Sequence, residues 1–250
     1  MADLRERMVR TGTATTTEVV DQGLRGYMLR IYNYMAVGLG LTGIAAIATY
    51  LAAVETTATG VQLTAFGTLL FASAFKWVVI FAPLAVVLFL SFRVQHMSVA
   101  AAQLAFWVYA ALVGVSFGSL GLVYAGESIA RVFFITAASF GGLSLIGYTT
   151  KRDLTGMGSF LMMGVIGLFV AMIVNLFLQS TGLQFVVSVL GVLIFAGLTA
   201  YDTQKIKEMY FEADDRDTMG RKAIMGALNL YLDFINMFLF MLRLFGTSRN

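Results

Sequence analysis

Asn229-Leu-Tyr-Leu-Asp-Phe-Ile-Asn-Met-Phe-Leu-Phe-Met-Leu-Arg243 is a continuous apolar run with a carboxylate, Asp233, inside it. Read alone, it is a membrane helix. A carboxylate at the centre of such a helix costs about 2.5–3.5 kcal/mol on insertion scales, so it faces protein or water and needs a partner. The natural partner is Asp202, which closes the preceding apolar run in Ala200-Tyr-Asp-Thr-Gln204. Two acids on adjacent membrane helices are a costly way to achieve packing alone.

The composition agrees with a membrane protein. Of 250 residues, 59% are hydrophobic, where soluble domains hold about 45–50%. Mean hydropathy is +0.82. The apolar runs are unbroken, which selects helices over the alternating strands of a barrel. The fold class expected is therefore all-α and polytopic. There is no cysteine, so there is no disulfide framework and no cysteine metal site. The net charge is only +3, and the basic residues fall in short loops. They read as topology signals, not as a nucleic-acid surface. No cofactor is expected.

Seven runs approach the roughly 20 residues needed to span a bilayer. They are Met28–Leu51, Phe75–Phe92, Ser98–Tyr124, Ser128–Thr149, Phe160–Leu178, Leu183–Thr203 and Ala223–Phe245. Val61–Phe71 is apolar but too short to span, and reads as a helical extension or an interfacial segment. Residues 1–26 are polar and threonine-rich, and are expected to be a disordered cytoplasmic tail. A short interfacial helix near Thr17–Tyr27 is compatible with this reading. Residues 27–250 form the membrane domain. The tail lacks the apolar core of a cleavable signal peptide.

Loop charges set the orientation. Arg5, Arg7, Arg10, Arg25, Arg93, Lys151, Arg152, Lys205, Lys207, Arg216, Arg221 and Lys222 lie on one side. Lys76, Arg131, Arg243 and Arg249 lie on the other, and Arg30 is just inside the first span. This places the amino terminus in the cytoplasm and the carboxyl terminus outside. The alternative is a re-entrant last run, which would return the carboxyl terminus to the cytoplasm.

On the last helix, residues three, four or seven apart share a face. Asn229, Asp233, Asn236 and Arg243 form one polar stripe, with Gly226 and Phe240 on the same line. Such a stripe faces a bundle interior, and either lines a pathway or links helices by hydrogen bonds. Depth leaves one question open. Asp233 lies ten residues, about 15 Å, beyond Ala223, whereas Asp202 should be shallower.

Gly197-Leu-Thr-Ala-Tyr-Asp-Thr-Gln-Lys-Ile206, followed by Leu230-Tyr-Leu-Asp-Phe-Ile-Asn236, closely resembles the signature of the Bax inhibitor family. The resemblance implies seven helices with the last one central. It also implies a pH-sensitive calcium leak with two aspartates as its sensor, a role that falls on Asp202 and Asp233. A basic residue at the cytoplasmic end of the second helix matches Arg93, as a gate partner for the pair. In some relatives a base near the outer end of the last helix pairs with an acid on the second helix. Arg243 fits the base, but Lys76–Phe92 contains no acid. The Phe211–Arg221 loop between the two motifs looks longer than usual for the family.

The chemistry is compatible with that role. Two carboxylates within hydrogen-bonding reach cannot both ionise cheaply, so they share a proton. Calcium prefers oxygen ligands, so the ionised pair, Asp202 and Asp233, is also the candidate metal contact. The expected partners are calcium or other cations and the lipid bilayer, with a bacterial inner membrane as the location.

Other signals point elsewhere. Gly114-Val-Ser-Phe-Gly118 has the pattern of a serine-hydrolase elbow, but the sole histidine, His96, lies about 27 Å from Ser116 along a helix. The expectation is that the protein is not an enzyme. Glu212, Asp214, Asp215 and Asp217 lack the spacing of a calcium loop and read as a solvated loop. Pro83 should leave the Val79 carbonyl without its helical donor. A scaffold that modulates stress or proteolysis without transport is the competing functional class. A proton-coupled transporter is a further one, usually built on an internal repeat that is not seen here.

Overall fold

The computed structural model describes residues 2–57 and 60–249, with side chains described over 22–55 and 61–249. Seven long helices follow one another: α1 (Ala2–Ala53), α2 (Lys76–Arg93), α3 (Val99–Phe117), α4 (Gly126–Thr149), α5 (Thr155–Leu178), α6 (Thr181–Glu208) and α7 (Arg216–Phe245). All seven are long and apolar enough to cross a membrane. The all-α polytopic reading therefore holds, and this is an integral membrane protein. The expected tail over 1–26, and with it the boundary of the 27–250 domain, falls mostly on residues whose side chains lie outside the description.

Among the boundaries that differ from the sequence reading, three have a clear local reason. Val61–Phe71 is not one uniform segment: Val61–Leu63 belong to a strand, and helical turns run over Ala65–Gly67 and Thr68–Ala72. Val54–Thr57 (β1) and Gly60–Leu63 (β2) form an antiparallel hairpin with Val54 opposite Leu63. The β-branched residues Val54, Thr56, Thr57 and Val61 suit a pleated ribbon. The last helix begins at Arg216, seven residues before Ala223, because Asp215 caps it by accepting from the amides of Asp217 and Thr218. What looked like a long Phe211–Arg221 loop is thus partly helix. The α5–α6 turn is tight. Gln179 takes a left-handed φ of 49° to end α5, and Ser180 immediately caps α6 by accepting from the Leu183 amide.

The last helix is one continuous element, so the hairpin alternative is not what forms. It is also central. In its most apolar stretch 72% of α7 residues are buried, against at most 39% in any other helix. It packs against α6, α1, α4 and α3. Outward faces carry large apolar side chains such as Phe134, Phe160 and Phe177, as a lipid-facing surface requires.

Lipid is as apolar as leucine, so helices in it are held by close packing and polar links rather than by hydrophobic burial. Both devices are visible here. Gly114 and Gly118 press α3 onto α1, and a Cβ at either would stand 2.5 Å from the Thr42 carbonyl oxygen or 2.8 Å from the Thr49 methyl. Thr42 Oγ1 lies 2.7 Å from the Tyr231 hydroxyl and donates to the Ala110 carbonyl or its own helix.

Pro83 has the expected consequence and a specific repair. The Val79 carbonyl of α2 accepts from Ser116 Oγ of α3 at 2.7 Å. The same hydroxyl lies 3.1 Å from the Leu112 carbonyl of its own helix. Ser116 therefore stitches a proline-broken helix to its neighbour, and its only hydroxyl proton is taken up in doing so.

That link is testable. Ser116→Ala should lower resistance to denaturant unfolding by about 0.6–1.7 kcal/mol, the range of interhelical hydrogen bonds in membranes. Ser116→Thr, which keeps the hydroxyl, should stay near wild type. An Ala variant as stable as wild type would show that the Val79 carbonyl needs no donor.

Candidate functional site

The site lies on the seam between α6 and α7. Phe240 sits on Gly191, where a Cβ would stand 2.5 Å from the ring, and its ring stacks on Phe195 at 5.9 Å. Near the other end, Gly226 packs against Ile206. These contacts fix an antiparallel register in which position 202 meets position 233. They also answer the depth question. Helix α7 starts well below the end of α6, so Asp233 lies level with Asp202, about 9 Å above Glu208.

The two carboxyl groups are within hydrogen-bonding reach of each other. Asp233 is 4% exposed, while Asp202 is half-buried. One oxygen of Asp233, Oδ2, is buried with no hydrogen-bond donor. An ionised carboxylate only accepts, so two of them facing each other leave lone pairs unmatched. A single proton between them would supply the missing donor. Lys205, one turn beyond Asp202, is exposed at the end of α6.

The remaining sequence candidates are placed differently. Asn236 turns its amide onto its own helix, donating to the Leu232 carbonyl at 2.9 Å. Asn229 is half-buried three turns into α7. Arg243 is exposed, with its guanidinium 5.4 Å from the centre of the Phe240 ring. No acid pairs with it among the described residues, in keeping with the missing acid on α2. Arg93 is exposed at the end of α2 and forms no ion pair with Asp202 or Asp233. Helix α2 packs chiefly on α3, and the Val94–His96 turn that follows Arg93 touches α7. The expected gate partner is not ion-paired with either aspartate.

Four residues that the sequence reading passed over surround the site. Tyr32 of α1 lies 2.5 Å from Ser144 Oγ of α4, which lies 2.9 Å from Thr203 Oγ1 of α6. This hydroxyl line ties three helices together beside Asp202. Gln204 takes the Leu154 amide and donates to the Arg152 carbonyl, each at 2.8 Å. It thereby pins the α4–α5 loop to α6. The available signal was small: hydroxyl residues at positions 199 and 203, four apart on one face of α6. The partner of Thr203 in α4, Ser144, is distant in sequence.

The acidic loop has a structural role. Asp215 is the cap of α7, and the amide and hydroxyl of Thr218 hold its carboxyl below the usual carboxylate range. Asp214 pairs with Lys222 at 2.5 Å. Among the described residues no three His, Cys, Asp or Glu side chains group as a metal site. The pair itself could offer calcium at most four carboxylate oxygens, short of the six to eight it takes in a resident site.

Comparison with known proteins agrees with the motif. The family model described as "Inhibitor of apoptosis-promoting Bax1" matches residues 24–250. A Rickettsia prowazekii protein, RP147, is 47% identical over 243 residues, covering 96% of this chain and 98% of its own. A Caulobacter vibrioides protein is 49% identical, covering 92% of each chain. The inner membrane protein YbhL of Escherichia coli K12 is 45% identical, covering 91% of this chain and 94% of its own. With the two motifs meeting at one seam of a seven-helix bundle, the chain belongs to the Bax inhibitor family.

Proposed function

We propose that this protein is a pH-regulated leak for calcium and related cations in a bacterial inner membrane, with Asp202 and Asp233 as its proton sensor. The observation that carries the proposal is the buried Asp233 carboxyl, which faces a second acid and lacks a donor. With one proton between them the two groups bind each other and hold α6 against α7. Without it, two negative charges stand side by side in a medium of low dielectric, and the seam is driven apart or draws in a cation. The half-buried Asp202 is the route by which cytoplasmic protons reach the pair. Beyond the pair, the stacked rings of Phe195 and Phe240 fill the seam, and on this reading they are what must part for an ion to pass. Incomplete coordination suits a pathway, where an ion must leave as readily as it enters. The inner-membrane location is supported by the relative YbhL.

Orientation enters this reading directly, because the sensor must face the cytoplasm. A reporter fused after Arg152 should signal from the cytoplasmic side and one fused after Asn250 from the outer side. A cytoplasmic signal from the Asn250 fusion would overturn the assignment.

The function itself is tested in vesicles that contain only the purified protein. Calcium flux should vary with pH in the wild type. Asp233→Asn should flatten that dependence, because the remaining carboxyl has no second acid to couple to. Asp202→Asn should do the same, and the double variant should be no flatter than either, since a coupled pair is non-additive. Wild-type profiles in both single variants, or effects that simply add, would make the two acids independent sites. No flux at any pH would point to a non-transport role.

A further inference from the structure

Helices α1 and α4 meet at one end, through Tyr32 and Ser144, but are not packed along their length. Between them lies a cleft of ≈ 720 Å³ whose floor is Phe234, Ile235 and Phe238 of α7. That is within the size range of small-molecule sites, about 300–1,000 Å³. Its walls owe their openness to missing side chains. A Cβ added at Gly40, Gly43 or Gly126 would meet no atom within 4 Å. Apart from Thr42 and Tyr50, the lining below the mouth is apolar.

The mouth carries a fixed cation. After α7 the chain doubles back over the α3–α4 turn. The Ala125 amide donates to the Thr247 carbonyl at 3.0 Å, the Thr247 amide to Ser128 Oγ at 2.8 Å, and the Arg249 amide to the Val123 carbonyl at 2.9 Å. Arg249 Nη1 then donates to the Tyr50 hydroxyl and to the Gly121 carbonyl. Its guanidinium lies 5.5 Å from the centre of the Tyr50 ring. Among the described residues no acid pairs with it. Nε and Nη2 are not engaged by these bonds, and that edge of a guanidinium matches two phosphate oxygens.

We propose that this cleft is a binding site for an anionic phospholipid, with one acyl chain lying between α1 and α4 and the phosphate against Arg249. The site is apolar along its depth and cationic at its rim. The rim stands at the level where α1, α3 and α4 end, the level of lipid headgroups in a bundle of membrane-spanning helices. An acyl chain restores the van der Waals contacts that the glycine-lined walls lack. The occupant rests on the α7 face next to Asp233, but the site does not depend on the leak.

Native mass spectrometry of the detergent-purified full chain, with phosphatidylglycerol or phosphatidylcholine added, tests this. The wild type should retain one phosphatidylglycerol in preference to phosphatidylcholine. Gly43→Leu and Gly40→Phe both place a side chain in the open cleft, and should cut retention of either lipid by about tenfold or more. Arg249→Gln should keep the chain site but abolish the preference between headgroups. Elution as a single species identifies the variants that are folded. If a folded cleft-filling variant retains lipid as the wild type does, or if the wild type does not discriminate between headgroups, the site is refuted. A dimer that forms without lipid and is abolished by Gly43→Leu would also refute it, by making a second copy the occupant.

Discussion

A carboxyl group buried at 4% exposure and facing another acid is the constraint on which this structure turns. Such a group is tolerated in a membrane bundle only if something supplies a donor or the charge is neutralised. Nearby basic residues do not do so. Lys205 lies toward the surface, Arg93 is held on α2, and Arg243 rests on Phe240. On the proposed reading, the donor is a proton held between Asp202 and Asp233. The central place of α7 follows from the same constraint, because only a helix enclosed by others keeps its acid out of lipid.

The rest of the bundle is arranged to keep that seam in register. Gly191 admits Phe240, and Gly226 admits close approach of α6 near Ile206. Hydroxyls replace what lipid cannot provide. Ser116 supplies the donor that Pro83 removes, and Tyr32, Ser144 and Thr203 join α1, α4 and α6. Each such link is worth about 0.6 kcal/mol on average in membrane proteins. The seam is thus held by several small terms, and a change of one charge at its centre is of comparable or larger size.

Much of this was legible in the sequence. Run length gave seven helices, and the cost of Asp233 identified both its own importance and Asp202 as its partner. The central position of α7 came with the family resemblance. What failed to show was local or long-range. The cap at Asp215 moved the start of α7, because a charged first turn hides helix behind a polar pattern. The hairpin at Val54–Leu63 was masked by an apolar run too short to classify by period. Arg93 was assigned to the pair by family pattern, but it makes no ion pair with either aspartate. The links through Ser144 and Gln204 join residues fifty or more positions apart, and no local pattern announces them.

The central claim is that one proton is shared by Asp202 and Asp233. Infrared difference spectroscopy of the carboxyl stretch, on wild type and both single Asn variants at pH 7, tests it most directly. The account predicts a protonated-carboxyl band in the wild type that disappears in Asp202→Asn and in Asp233→Asn alike. A wild type with no such band, or a band that persists when either aspartate is replaced, would contradict it.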